Sequence, residues 1–211
     1  MNLRRESSQG RDASRIESFS DNVFAIALTL LVLTIKVPAV SQNDQPGYLV
    51  EYLRSEWPAY LTYVVSFLTV LLMWINHHVM FQRIQKADHA LMFLNGLMLL
   101  PVTLVSFPTA LLAVFFSHPQ ARYAAALFSG SYVMIAGFYY LVWAYITRMN
   151  FRLGVKEDAV SLKRSTKKIQ LVFGLYVGAF CVAFIHPVGC IVACLLLCVY
   201  FALPQLRNSA G

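Results

Sequence analysis

The chain has 211 residues, 58% of them hydrophobic and 13% charged, about half the charged share of an ordinary soluble domain. Its apolar residues run in long blocks rather than narrow stripes, which sets aside soluble enzyme folds and points to an integral membrane protein. The net charge of +7 does not indicate nucleic acid, because all but three of the 17 basic residues fall before the first apolar block, after the second, between the fourth and fifth, or at the C-terminus.

In chain order the apolar blocks lie at 18–37, 59–81, 90–116, 121–147, 168–185 and 187–203. The last two are divided only by His186-Pro187, so hydropathy alone leaves five spans open. Six is preferred, because one helix from 168 to 203 overruns a bilayer that about 20 residues cross. The expected class is therefore an all-α membrane protein with six transmembrane helices. Residues 1–17 form a polar N-terminal segment, 18–203 the membrane domain and 204–211 a short tail. The basic asymmetry places both termini in the cytoplasm; the opposite side holds only Lys36, Arg54 and Arg122. The cell membrane is the expected location, with anionic lipid near the basic ends.

Between the first two blocks, Pro46-Gly47 reads as a turn before a short interfacial helix from Tyr48 to Trp57. Pro101 and Pro108 predict kinks in the third span. Residues 148–167 read as the main cytoplasmic loop, and 1–14 as loose chain. Cys181, Cys190, Cys194 and Cys198 sit in the last two blocks; with no His, Asp or Glu beside them, they read as small packing residues rather than metal ligands. Gly174 and Gly178 form a GxxxG pattern that permits close helix packing.

The first block carries the most information. On a helical wheel Arg15, Phe19, Asn22, Ile26, Leu30, Leu33 and Val37 fall on one stripe, with Thr29 at its flank. Ser20 and Asp21 point elsewhere. A carboxylate one turn inside a membrane needs a partner, and the end of the second block offers Trp74, Asn76, His77 and His78 at the same level. These residues predict a polar cluster of Arg15, Ser20, Asp21 and one histidine, holding the first helix against the second.

The pattern Arg15-x-x-x-Phe19-Ser20-Asp21, followed by Ala25-Ile26-x-x-Thr29, Leu33 and Pro38, resembles the transmembrane protein 175 family of lysosomal potassium channels. Trp74-x-x-His77, Asn95 and the proline-containing third span extend the resemblance over nearly the whole chain. Having one repeat, the chain resembles the prokaryotic branch. The resemblance implies a homotetramer in which the first helix of each subunit lines a central pore. It implies a constriction at Ile26, further apolar rings at Leu30 and Leu33, and a hydroxyl at Thr29. Arg15, Phe19, Ser20, Asp21, Trp74, His77 and Asn95 become a structural and gating network. Asn22 departs from the small residue expected at its position.

The implied function is a potassium-selective or potassium-preferring leak channel with a hydrophobic gate. It is not an enzyme, has no cofactor or bound metal beyond permeating potassium, and has copies of itself, membrane lipid and monovalent cations as its partners. The alternative is a proton pathway or secondary cation transporter using Asp21 and His77 as titrating groups. The stripe argues against it, since Ile26 to Ile35 offers only Thr29 and Thr34 as polar groups.

Overall fold

A computed structural model describes residues 2–39 and 46–208, with side chains for 13–39 and 46–202. Among these residues the secondary structure is helical throughout: α1 Asn2–Leu30, a 3-10 turn Leu31–Thr34, α2 Tyr48–Ser55, α3 Trp57–Gln82, α4 His89–Leu104, α5 Ser106–Phe115, α6 Ala121–Arg148, α7 Asn150–Leu153, α8 Ala159–Ile185 and α9 Pro187–Asn208. Among the described residues, five stretches are long and apolar enough to cross a membrane: Ala13–Thr34, Trp57–Gln82, His89–Phe115, Ala121–Arg148 and Ala159–Ile185. The apolar part of α9, Pro187–Ala202, is shorter.

Three expectations change. The N-terminal segment read as loose chain is helical from Asn2, because it contains no proline and the apolar helix propagates back through it. The long loop read at 148–167 shrinks: α7 and the first turns of α8 occupy most of it, and Lys163, Arg164, Lys167 and Lys168 lie on α8. Asp158 starts that helix by accepting a hydrogen bond from the Ser161 amide. The expected tail at 204–211 continues α9 as far as Asn208, and residues 209–211 lie outside the described chain.

Other readings stand as made. Gly47 turns the chain at φ 94° into α2. His186 is extended before Pro187 and separates α8 from α9. The third span breaks into α4 and α5 between its two prolines, each of which removes a helix donor. Gly174 and Gly178, by contrast, face no neighbour: a Cβ on either would meet nothing within 4 Å.

Helix α6 forms the centre, packing on α8, α4, α5 and α9 and burying Phe128, Tyr132, Ile135, Trp143 and Ile146. Hydroxyls knit this bundle. Tyr132 donates to Ser66 Oγ at 2.9 Å, and Ser66 and Thr109 share a hydrogen bond of 2.7 Å. Cys190, Cys194 and Cys198 are buried in the same region, with Cys198 Sγ 2.9 Å from Thr69 Oγ1. At one end the loops after α3 and α7 are tied by backbone bonds from Gln85 and Lys86 to the Leu153 carbonyl. Gly154 turns there at φ 64°, close against Gln85. Helix α1 packs on α3 and α4 at the edge of this bundle, with one face left bare.

Candidate functional site

Periodicity decides which face of α1 is bare. Phe24, Ala27 and Leu31 are buried against the bundle, while Arg15, Phe19, Asn22, Ile26, Thr29, Leu30 and Leu33 are exposed. Ile26, Leu30 and Leu33 leave 58%, 44% and 73% of their surface open, values that exclude a core role for all three. The 3-10 turn extends the row, because residues three apart eclipse in that geometry and Leu33 follows Leu30. Thr29 turns its hydroxyl to the Ile26 carbonyl at 2.9 Å. Leu28, on the other side, packs against the core.

Behind the stripe, two polar contacts fasten α1. Ser20 is fully buried; its Oγ donates to the Ile16 carbonyl at 2.8 Å and accepts from Asn95 Nδ2 at 2.8 Å. Asn95 Oδ1 then lies 2.9 Å from His77 Nε2. The hydroxyl proton is already used, so Asn95 must give its amide to Ser20 and its oxygen to His77. An amide oxygen only accepts, so His77 carries its proton on Nε2. Its Nδ1 has no hydrogen-bond partner among the described residues; the ring stacks on Phe81 with centroids 4.5 Å apart and tilts against Phe24. The chain Ser20–Asn95–His77 thus joins α1, α4 and α3 through three buried side chains.

The second contact is Trp74 Nε1 donating to Asp21 Oδ1 at 2.8 Å. Asp21 therefore has the partner that its depth requires, but an indole rather than the expected histidine. The two histidines are engaged elsewhere: His77 with Asn95, and His78 Nδ1 with Glu17 Oε1 at 2.9 Å while its ring stacks on Trp74. The Glu17–His78 contact was missed in the sequence, although Glu17 stands one turn before Asp21 on the same face and marks where α3 must lie.

Arg15 is a further difference. It makes no hydrogen bond or ion pair among the described residues and lines an open cleft of about 350 Å³ with Phe19, Met92, Asn95 and Gly96. Its place on the wheel explains this: Arg15 and Phe19 belong to the exposed stripe, so they cannot also sit behind it.

The arrangement presents a mostly apolar row, bearing an amide at Asn22 and a guanidinium at Arg15, on a helix clamped from behind. By contrast, the outward face of α8 from Leu171 to Ile185 carries no amide, hydroxyl or charge. A bare amide facing hydrocarbon costs about 2 kcal/mol or more, so the α1 row suits a wet or subunit-lined surface better than lipid.

Three comparisons with known proteins identify the family. The model of the endosomal/lysosomal potassium channel TMEM175 family matches residues 15–106, which hold the whole clamp. A potassium channel of Chamaesiphon minutus is 43% identical over 205 residues, 97% of this chain and 99% of that protein. The human endosomal/lysosomal proton channel TMEM175 is 42% identical over 90 residues, 40% of this chain and 18% of that protein. The crystal structure of a lysosomal potassium-selective channel TMEM175 homolog from Chamaesiphon minutus superposes with a TM-score of 0.82 at 41% identity, covering 92% of this chain and 98% of that one. Identity at this level across nearly all of both chains places this protein in the TMEM175 channel family.

Proposed function

We propose that the protein is a potassium-selective, leak-type channel whose pathway is walled by the exposed row of α1 from each subunit of a homotetramer. The observation that carries this reading is the bare row Ile26, Leu30 and Leu33 on a helix fixed from behind. One such row encloses nothing, so copies must close a ring around it. The relatives named potassium channels support the permeant ion, and the family resemblance supports fourfold symmetry. In this reading α9 completes a sixth crossing and both termini lie in the cytoplasm of a cell whose plasma membrane holds the channel.

Mechanistically, Ile26 forms the narrowest ring, and Leu30 and Leu33 form further apolar rings. Such a throat gates by excluding water. When it opens slightly, an ion sheds part of its hydration shell, and potassium does so at lower cost than sodium. Selectivity is then weaker than a carbonyl filter provides. Arg15 and Phe19 flank the entrance, Asn22 lies just inside it, and Thr29 contributes a hydroxyl beside the constriction. Ser20, Asp21, Trp74, His77 and Asn95 hold the helix at a set angle and touch no ion. A proton pathway through Asp21 and His77 fits less well, since both turn from the row and are held by Trp74 and Asn95.

Reconstitution of the purified protein in liposomes with a potassium-loaded interior tests the proposal. Potassium flux exceeding sodium flux is expected; equal flux with empty liposomes contradicts it.

A further inference from the structure

On a face of α3 turned from the one bearing Trp74 and His77, a crevice runs between α3 and α8. Its deeper part, of about 90 Å³, is walled by Leu72 and Met73 of α3, Ile135 of α6, Ile169 and Val172 of α8 and Phe201 of α9. A second space of about 70 Å³ adjoins it, sharing Asn76, Tyr139, Lys168 and Ile169, and adds Arg83, Trp143 and Ser165. With Thr69 and Tyr176 also in its wall, the deeper crevice is mostly apolar, and its mouth is cationic.

The two cations at the mouth are not equivalent. Arg83 is neutralised: it pairs with Glu157 at 3.2 Å, donates to Ser165 at 2.9 Å and lies over the Trp143 ring. Lys168 is exposed and makes no hydrogen bond or ion pair among the described residues. The nearby acids are already used, Glu157 by Arg83 and Ser161, and Asp158 as the cap of α8. An unmatched ammonium over a short apolar slot selects an anion with an attached hydrocarbon chain. A soluble anion gains nothing from the slot, and the mouth has no free carboxylate for a choline group.

We infer that this crevice binds an anionic phospholipid of the adjacent leaflet, with part of one acyl chain between α3 and α8 and the headgroup phosphate on Lys168. The site has a route to the clamp. Tyr139 donates to the Asn76 carbonyl at 2.9 Å, and Asn76 directly precedes His77 on α3. A lipid wedged here stiffens the stretch of α3 that holds α1.

Native mass spectrometry of the full-length assembly, titrated with phosphatidylglycerol or phosphatidylcholine, tests the site without reference to ion flux. Phosphatidylglycerol should be retained and phosphatidylcholine lost. Lys168→Gln should weaken retention about fivefold, the effect of one lysine at a membrane surface. Lys163→Gln, turned about 140° around α8, should change it less than twofold. Val172→Trp should fill the slot and block retention while leaving the assembly mass unchanged. Inorganic phosphate should not compete. Equal retention of both lipids, equal effects of the two lysine substitutions, retention by Val172→Trp, or displacement by inorganic phosphate would each overturn the inference.

Discussion

Asn95 is the residue on which the α1 clamp turns, since it hydrogen-bonds to both Ser20 and His77. Asn95→Leu leaves a buried imidazole N–H and a buried hydroxyl without their amide partner. The expected loss is about 1–2 kcal/mol, tempered because hydrogen bonds between membrane helices average well below that each. Thermal unfolding in detergent should show it, and the potassium-to-sodium ratio of the surviving channel should hold. At Asp21 the outcome depends on shape. Asp21→Asn keeps an oxygen for the Trp74 N–H, whereas Asp21→Ala does not, so Ala should impair stability or gating more than Asn. Neither should alter the permeability ratio; an altered ratio with normal assembly would put Asp21 in the ion path. The sequence made a partner for Asp21 predictable because a membrane carboxylate cannot stand alone. Which partner was not legible, since Trp74, His77 and His78 share one helix end and only the angle between α1 and α3 chooses among them.

At the scale of elements, the exposed row of α1 was readable because helical period alone sorts Ile26 and Leu30 from Phe24 and Leu31. Boundaries were less readable. Charged residues such as Lys163 and Lys167 look like loop in a hydropathy scan, yet they suit a helix that emerges from the membrane into water. The hydroxyl links of the outer bundle were also hidden, since Ser66, Thr109 and Tyr132 are far apart in sequence and meet only after packing. Those links lie among α3, α5 and α6, away from the exposed row of α1. Tyr132→Phe should therefore lower unfolding stability by about 1 kcal/mol, measured by thermal unfolding, with potassium and sodium flux unchanged. A change in selectivity would show that the outer bundle shapes the throat.

For the whole molecule the account requires assembly, because no single copy surrounds its own α1 row. Mass measurement in detergent or native membranes should find a tetramer, and a stable monomer or dimer would remove the shared pathway. The central claim is that this pathway runs along α1, with Ile26 as its narrowest ring. Comparing potassium and sodium flux through liposomes bearing Ile26→Asn, Leu30→Asn or Leu28→Asn tests it most directly. Ile26→Asn should raise conductance and erase the potassium preference, because a wetted ring lets either ion keep more water. Leu30→Asn should act in the same direction but less, and Leu28→Asn, which packs inward, should reduce stability without raising flux. If Ile26→Asn leaves both fluxes at the wild-type level, the first helix does not line the pathway at that depth.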